Sequence, residues 1–369
     1  MLNEFDFHHN AIGFLRLFFA AVVVLAHAYT LGGFGPDPAD RWSNGRETLG
    51  DLAVAGFFVL SGFLITRSAE RAPTVIRFVW HRFLRIFPAF WVCLIVTAVL
   101  FAPLALAIEH RAFGQYLTSE VDNPLRYVIV NADLSMRQYG IAGLLANLPY
   151  PRAFDGSLWT LRFEFACYLA VGFFTLVGIV QRRRWIVAAA GATLFAAYAI
   201  PLAFAHHATI PWPFDAMLRG NNRLAAELVV YFFAGAIAYL YRDVIPLTRW
   251  VGASSLAAGA IALHWPVYGI VGPIAFSLAT LWLAAELPFC DVDRRIDLSY
   301  GLYIYAFPLQ QLAAAAGVVS LGLAAFTVLP LVGALMLACV SWFVIERPSL
   351  ALKHRSFGAF APRPRRAGS

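Results

Sequence analysis

Charged residues are scarce in this chain. Only 13% of its 369 residues are Asp, Glu, Lys or Arg, whereas 60% are hydrophobic. Soluble domains carry about 25% charged residues, so this chain has too few to cover the surface of a globule of its size. The scarcity excludes an ordinary water-soluble domain and predicts an integral membrane protein.

Cysteines and metal-ligand clusters are also few. We interpret the cysteines as small core residues and expect neither a disulfide framework nor a metal site, because no CxxC spacing occurs. His206 and His207 are adjacent but lack further ligands nearby, so they do not indicate a metal site either. The four cysteines lie far apart, in or beside apolar runs: Cys93, Cys167, Cys290 and Cys339.

A basic binding face and a signal peptide are missing too. The net charge is +7, but the basic residues are spread over short segments between apolar runs, so no nucleic-acid partner is expected. The first eleven residues contain Glu4 and Asp6 and no Lys or Arg, and no small-residue cleavage site follows the first apolar run. We therefore expect no secretory signal peptide.

Long apolar runs are abundant. A helix rises about 1.5 Å per residue, so about 20 apolar residues span the hydrocarbon core of a bilayer. The sequence predicts an all-α, polytopic membrane protein with about ten transmembrane helices and no appended soluble domain. The ten runs are residues 12–31, 50–67, 84–107, 158–180, 185–205, 224–241, 250–264, 267–288, 298–318 and 323–345.

The distribution of Arg and Lys predicts the orientation. One set of alternate connecting segments, together with the C-terminal tail, carries 18 basic residues, and the other set carries seven. The positive-inside rule then places both termini in the cytoplasm. We expect residues 1–350 to form one transmembrane domain whose outer loop, about residues 108–157, holds short helices over the outer mouth. Residues 351–369, rich in Pro and Arg, are predicted to form a disordered tail.

Two ionisable residues, Arg16 and His27, lie inside the first run. Eleven helical steps separate them, so they share one helix face about 16 Å apart along the axis. An ionisable residue at the centre of a membrane helix costs about 2.5–3.5 kcal/mol and usually faces a cavity or the bundle interior. The alternative is that Arg16 reaches the headgroups and His27 is a hydrogen-bonded bundle histidine.

A basic cluster, HRFLRIFPAFW, opens the third run. Arg82 and Arg85 are three residues apart and share a helix face, and planar guanidinium groups suit bidentate contacts with phosphate. This pattern favours a phosphate-bearing ligand at the cytoplasmic side. The alternative is an ordinary pair of flanking basic residues that only sets the topology.

A carboxylate, Glu164, lies in GSLWTLRFEFACYL at the start of the fourth run. Ser157 is predicted to cap this helix, which puts Glu164 about 9 Å into the membrane from the outer side, at a depth similar to that of His27. A buried carboxylate beside His27 would orient the imidazole and raise its basicity. The alternative is an ion pair of Glu164 with Arg162 or with a loop arginine.

Other residues give weaker indications. Ser61 is a conceivable nucleophile, but Ser-Gly in a membrane helix is more often a packing contact. Trp159, Tyr300 and Tyr303 are candidates to line a cavity, although aromatic residues at helical spacing usually serve packing. Glu346, in the closing Glu-Arg-Pro, is expected to pair with its neighbour Arg347.

Together these motifs resemble acyltransferase family 3, a family of ten-span membrane acyltransferases. The resemblance covers nearly the whole chain, because the motifs follow in the family's order on the expected runs. They are Arg16 with ten residues to His27, FFVLSGFLI, Arg82-x-x-Arg85, SLWTL with Glu164, SYGLYI and the closing ERP.

The resemblance implies transfer of an acyl group, usually acetyl and sometimes succinyl, from cytoplasmic acyl-CoA to a hydroxyl of a surface or lipid-linked glycan at the bacterial inner membrane. It implies that His27 is the catalytic histidine, that Arg16 is its partner in the motif, and that Arg82 and Arg85 contact the donor. Acyl-CoA is then a substrate, and no permanently bound cofactor is expected. The chain has no fused periplasmic esterase-like domain, so transfer is expected to proceed unaided. The sequence does not indicate an oligomeric state.

Two reaction routes fit these residues. His27 either deprotonates the acceptor hydroxyl, with Glu164 stabilising the imidazolium, or is itself acylated first. The alternative function is a proton-coupled transporter of a glycan or small metabolite, because intramembrane Arg, His and Glu also form proton relays. Transporters commonly have paired inverted halves, which this sequence does not display.

Overall fold

The computed structural model describes residues 2–119, 122–203, 222–292 and 296–354. These residues form helices and no strand, which confirms the all-α prediction. Several residues used in the sequence analysis lie outside the described ranges. They are His206, His207, Arg219, Arg294, Arg295 and residues 355–369 of the basic tail.

The helices vary in length from one turn to more than six. In chain order they are α1 (Ile12–Gly32), α2 (Pro38–Ser43), α3 (Leu49–Arg71), α4 (Val75–Val96), α5 (Ala102–Ile108), α6 (Phe113–Thr118), α7 (Pro124–Asn131), α8 (Thr160–Leu176), α9 (Ile179–Arg182), α10 (Arg184–Ala203), α11 (Asn222–Leu240), α12 (Arg249–Leu263), α13 (Tyr268–Glu286), α14 (Ser299–Ala315), α15 (Leu323–Ser341) and α16 (Arg347–Ala351). A π turn at Thr97–Phe101 joins α4 to α5, and another at Trp342–Glu346 joins α15 to α16.

Within the described residues, six helical stretches are long and apolar enough to cross a membrane. Each predicted apolar run lies on a helix, but α8, α12 and α14 are shorter than the length expected for a full span, and so is the apolar stretch Arg184–Ile200 on α10. The chain is therefore a multi-pass, all-helical membrane protein. The six stretches are Ile12–Gly32, Leu49–Arg71, Val75–Ile108, Arg223–Leu240, Tyr268–Glu286 and Leu323–Ala351.

Helix α1 packs against α3, α14 and α15. α14 is parallel to α1, because Asp297 just before α14 binds Arg16 while Gln310, further along, donates to the Val24 carbonyl at 2.8 Å. α3 is antiparallel to α1. We name the two ends of the bundle after α1: the arginine end, where α1 begins, and the histidine end, where it finishes.

Helices α3 and α11 pack with their backbones in direct contact. A Cβ atom on Gly62 would lie 1.9 Å from the Phe232 carbonyl oxygen, and one on Gly235 would lie 2.1 Å from the Val59 carbonyl oxygen. Only glycine permits this distance. Small residues give membrane helices their closest packing, because no hydrophobic effect drives helix association within lipid.

Helix α4 begins earlier than predicted. It starts at Val75, where the Thr74 hydroxyl accepts a hydrogen bond from the Arg77 amide at 3.2 Å, rather than at residue 84. Arg82 and Arg85 therefore lie two turns inside the helix and not at its start. Hydropathy misplaced this boundary because these charged residues face the protein interior, which a mean over all helix faces does not reveal.

The segment before α8 is buried without being helical. Ala153, Phe154, Asp155 and Ser157 are all buried, and Gln311 of α14 donates hydrogen bonds to the carbonyls of Tyr150 and Ala153 at 2.8 and 2.7 Å. Non-helical backbone is tolerated at membrane depth only where protein satisfies its polar groups, as happens here. The loop also contains α6 and α7, which confirms the prediction of short helices between residues 108 and 157.

Helix α8 therefore starts deep in the bundle. Its first residue, Thr160, shares a 2.6 Å hydrogen bond with Tyr303, which lies only four residues after the start of α14 at the arginine end. The predicted cap is wrong: Ser157 precedes the helix, and its carbonyl accepts a hydrogen bond from the Tyr303 hydroxyl at 2.8 Å. Every residue of α8 consequently lies closer to the arginine end than the sequence predicts.

Candidate active site

A cavity of about 360 Å³ opens at the arginine end, between α1, α3, α4, α8 and α14. We call it the arginine cavity. Its volume falls in the range of about 300–1,000 Å³ that is usual for small-molecule sites. The charged side chains that line it are Arg16, Arg82, Arg85, Glu164, Asp297 and Lys353.

Asp297 connects two of these arginines. Its Oδ2 accepts a hydrogen bond from Arg16 at 2.9 Å and a second one from Arg85. Its Oδ1 accepts from the Ser299 hydroxyl at 2.7 Å and from the Ser299 amide at 3.1 Å. Burial alone would raise the pKa of Asp297, but the guanidinium groups of Arg16 and Arg85 hold that pKa below its usual value. The carboxylate therefore stays ionised and locks α1, α4 and α14 together.

Arg85 is held from three sides. Besides Asp297, it contacts Glu346 at 3.4 Å, and its guanidinium lies 5.6 Å from the centre of the Tyr300 ring. Glu346 also accepts a hydrogen bond from the Ser341 hydroxyl at 3.0 Å. The predicted local pair of Glu346 with Arg347 is thus wrong. The π turn that contains Glu346 directs its side chain inward to Arg85 instead.

Arg82 and Lys353 have no such counter-charge. Among the described residues neither forms an ion pair, and the Nε of Arg82 is buried without a hydrogen-bond partner. Glu164 acts on Arg82 only at longer range. Burial, followed by repulsion from Arg82 and Arg85, lowers the pKa of Lys353 to about 8. The arginine cavity thus holds positive charge that no carboxylate neutralises at close range.

Glu164 lies in the arginine cavity. It accepts a hydrogen bond from the Ser61 hydroxyl at 2.7 Å and another from the Tyr168 hydroxyl. The structure describes no hydrogen bond between Glu164 and His27, and the two residues line different cavities. The predicted common depth of Glu164 and His27 is wrong, because α8 begins deep in the bundle and carries Glu164 toward the arginine end.

A smaller cavity of about 120 Å³ opens at the histidine end. We call it the histidine cavity, because His27 lies in its wall, with the ring edge-to-face against Phe307 at 5.1 Å between centroids. Trp159 forms part of the same wall. The polar residues that line this cavity with His27 are Thr30, Asp37, Thr48, Asp51, Ser157, Thr160, Glu227 and Tyr303.

Two polar atoms of this wall have no hydrogen-bond partner. Glu227 is only 4% exposed, and its Oε2 has no hydrogen-bond partner, and the buried Ser157 hydroxyl has none either. Asp37 and Asp51, by contrast, are occupied as helix caps: Asp37 accepts from amides at the start of α2, and Asp51 accepts from Thr48 at the start of α3. Glu227 and Ser157 thus complement His27 as polar groups of the cavity.

The two cavities adjoin. Val54, Thr160 and Tyr303 line both of them, so these side chains form a wall that the two cavities share. Arg16 and His27 lie in the two different cavities, about 16 Å apart along one face of α1. A thin molecule that passed Tyr303 would reach His27 from the arginine end.

The other predicted residues also lie in these walls. Ser61 and Tyr300 line the arginine cavity, Trp159 lines the histidine cavity, and Tyr303 lines both. The described residues contain no group of three or more His, Cys, Asp or Glu that could hold a metal ion.

Three residues of the site were not predicted, although the sequence contains an indication of each. Asp297 directly precedes the SYGLYI motif, and the buried Arg16 requires a counter-charge. Glu227 interrupts the run 224–241 in the way that His27 interrupts the first run. Lys353 was assigned to the tail, but it is the single lysine of the chain.

Comparison with known proteins shows what the whole chain is similar to. The family model described as "Acyltransferase domain" matches residues 9–345. The chain is 29% identical over 352 residues to an "O-acetyl transferase" of Shigella phage Sf6, and this alignment covers 92% of this chain and 95% of that protein. It is 30% identical over 366 residues to "Nodulation protein 10" of Rhizobium leguminosarum bv. viciae, covering 94% of each. No solved structure matches the chain significantly.

Proposed function

This chain belongs to the acyltransferase family whose model matches it, and from that membership we propose that it is an O-acyltransferase of the bacterial inner membrane. The proposed donor is acyl-CoA, and the proposed acceptor is a hydroxyl group of a surface or lipid-linked glycan. The name of the phage relative supports acetyl as the acyl group. The observation that carries the proposal is the pair of adjoining cavities, one cationic and one containing His27.

The arginine cavity suits the donor. Acyl-CoA combines an anionic, phosphate-bearing head with a long neutral arm that ends in the thioester. Arg82 and Lys353 offer positive charge that no close carboxylate compensates, and guanidinium groups form strong charge-assisted hydrogen bonds to phosphate. Arg85 already forms ion pairs with Asp297 and Glu346. We therefore assign it mainly a structural role in the cavity wall, and only secondarily a role in binding the donor.

His27 is proposed to act on the acceptor. In the direct route its ring nitrogen takes the proton of the acceptor hydroxyl, whose oxygen bonds to the thioester carbon. The C–S bond then breaks, and the leaving thiolate takes the proton back from the imidazolium. In the alternative route the His27 nitrogen itself attacks the thioester carbon, the C–S bond breaks, and the leaving thiolate takes the proton of the other ring nitrogen. The acceptor hydroxyl then attacks the acyl-imidazole, and its proton returns to the ring as the C–N bond breaks. Glu227 and Ser157 line the same cavity and supply hydrogen-bonding groups for the acceptor.

The proposed topology places the two cavities on opposite sides. Ten membrane spans with both termini in the cytoplasm would open the arginine cavity to the cytoplasm, where acyl-CoA is found. The histidine cavity would then receive the acceptor from the outer side. The shared wall of Val54, Thr160 and Tyr303 supports this arrangement, since only the acyl end of the donor has to pass it.

The test is transfer by the purified protein. We expect the protein in detergent or vesicles to transfer label from acetyl-CoA to a lipid-linked glycan, or to hydrolyse the thioester slowly without acceptor, and His27→Ala to do neither. If the protein binds no acetyl-CoA and consumes no thioester with any acceptor, but moves a solute in response to a proton gradient, it is a transporter instead.

A further inference from the structure

The chain contains one lysine, and that lysine lines the arginine cavity. The other 27 of the 28 Lys and Arg residues are arginines, including those in the connecting segments that predict the membrane orientation. Lys353 lies in the short 3-10 turn Leu352–His354, directly after α16. Both α16 and this turn pack against α4, the helix of Arg82 and Arg85. The chain thus folds back at its last described turn to bring an ammonium group to the cavity.

The charges in the cavity divide into two groups. Arg16 and Arg85 share the carboxylate of Asp297, and Arg85 also contacts Glu346. Arg82 and Lys353 form no ion pair within the described part of the chain. A dianionic group that entered the cavity would therefore find two cations whose charge is not already neutralised at close range.

We propose that Lys353 binds a phosphate group of the acyl donor, opposite Arg82. The proposal rests on the proposed function, since it names the residue that holds the donor head. Arg82 supplies a planar, bidentate donor, whereas the ammonium group of Lys353 is a compact charge with three rotatable donors. The two together bind one phosphate from two sides without breaking the Asp297 network.

The position of Lys353 follows from the closing segment of the chain. The π turn at Trp342–Glu346 directs Glu346 to Arg85, and the helix that continues from it, α16, leads straight into the turn of Lys353. The same segment thus both positions Arg85 and carries Lys353 to the cavity. The neutral form of Lys353 is also accessible near neutral pH, because its pKa is lowered to about 8.

The single lysine permits a direct test by amine labelling. We expect an N-hydroxysuccinimide ester to label the full-length protein at Lys353 and at the N-terminal amine only. Coenzyme A at ten times its dissociation constant should slow the labelling of Lys353 about tenfold, because mass action leaves only about a tenth of the sites unoccupied. The labelling of the N-terminal amine should not change. Pantetheine, which lacks the phosphates, should not protect Lys353, and inorganic phosphate should protect it weakly.

Variants provide the second measurement. Lys353→Met should weaken coenzyme A binding about tenfold, and Lys353→Arg should restore most of the affinity. Arg77→Met is the matched control, because Arg77 is an exposed cation of α4 outside the cavity. An equal loss of coenzyme A affinity in both Met variants would mean that Lys353 contributes only to the general positive potential of the protein. That result overturns the inference about Lys353 but not the proposed function. The same holds if wild-type protein binds coenzyme A and transfers acetyl while coenzyme A leaves the rate of Lys353 labelling unchanged. Absence of any coenzyme A binding by wild type overturns the proposed function.

Discussion

His27 is the residue on which the proposed chemistry depends. Its side chain lines the smaller cavity together with Glu227 and Ser157, and its ring packs against Phe307. We predict that His27→Ala lowers the turnover of acyl transfer by about 10²–10⁴, the usual contribution of a general base. Donor affinity should stay within about twofold, because His27 lies outside the arginine cavity.

The matched control is His264→Ala. His264 is also a histidine at the histidine end, but its ring nitrogen bonds to the Trp42 carbonyl at 2.8 Å and it does not line the cavity of His27. Its loss should leave turnover unchanged. If His27→Ala retained more than about a tenth of the activity, His27 would be a packing residue.

Lys353 gives donor binding a pH dependence. Its pKa is lowered to about 8, first by burial and then by Arg82 and Arg85, so its ammonium is charged below pH 8 and lost above it. We predict that kcat/KM for acetyl-CoA falls as the pH rises from 7 to 9, because only the charged form attracts phosphate. Lys353→Arg should remove this fall, since arginine stays protonated over the whole range. A profile that is the same in both proteins would assign the titration to another group.

At the residue level the sequence predicted the unusual side chains better than their partners. Arg16, His27, Arg82 and Arg85 were recognisable because membrane helices rarely carry such residues. The partner of His27 was predicted wrongly, since a partner depends on helix depth. Glu164 lies at the arginine end with Ser61, and the acidic residue whose Oε2 has no hydrogen-bond partner in the histidine cavity is Glu227.

Helices were predicted more reliably than their ends. Hydropathy located every long apolar run, but it placed the start of α4 at residue 84 instead of Val75. It also could not reveal that α8 begins opposite Tyr303, because that position is set by hydrogen bonds from Tyr303 and Gln311 to a buried loop. Tertiary contacts of this kind leave no periodic pattern in the sequence.

The contact between α3 and α11 yields a prediction for elements. Gly62→Ala should lower the free energy of unfolding by about 1–3 kcal/mol or more, the range typical of overpacking. The reason is that the new Cβ would lie 1.9 Å from the Phe232 carbonyl oxygen. Gly259→Ala is the matched control in α12, where the nearest atom is the Ala275 Cβ at 3.9 Å. Thermal unfolding in detergent compares the two. Equal melting temperatures would show that α3 and α11 can separate without cost.

At the scale of the whole molecule, the proposed reaction is divided between the two ends of the bundle. Arg16 and His27 are about 16 Å apart on α1, in cavities that share only Val54, Thr160 and Tyr303. The acidic side chains are divided in the same way: Asp297 and Glu346 bind arginines at one end, while Glu227 lies at the other. The first cavity therefore carries most of the cations, whereas the second is lined by His27 and by acidic and neutral polar side chains.

This division predicts that donor and acceptor enter from opposite faces. In vesicles with a single protein orientation, acetyl-CoA on the face of the arginine cavity and glycan acceptor on the other should give transfer, with coenzyme A retained on the donor side. Val54→Trp, which fills the shared wall, should abolish transfer and preserve coenzyme A binding. If transfer instead requires both substrates on the arginine face, the histidine cavity is reached from that face and the shared wall is a passage for the acceptor as well.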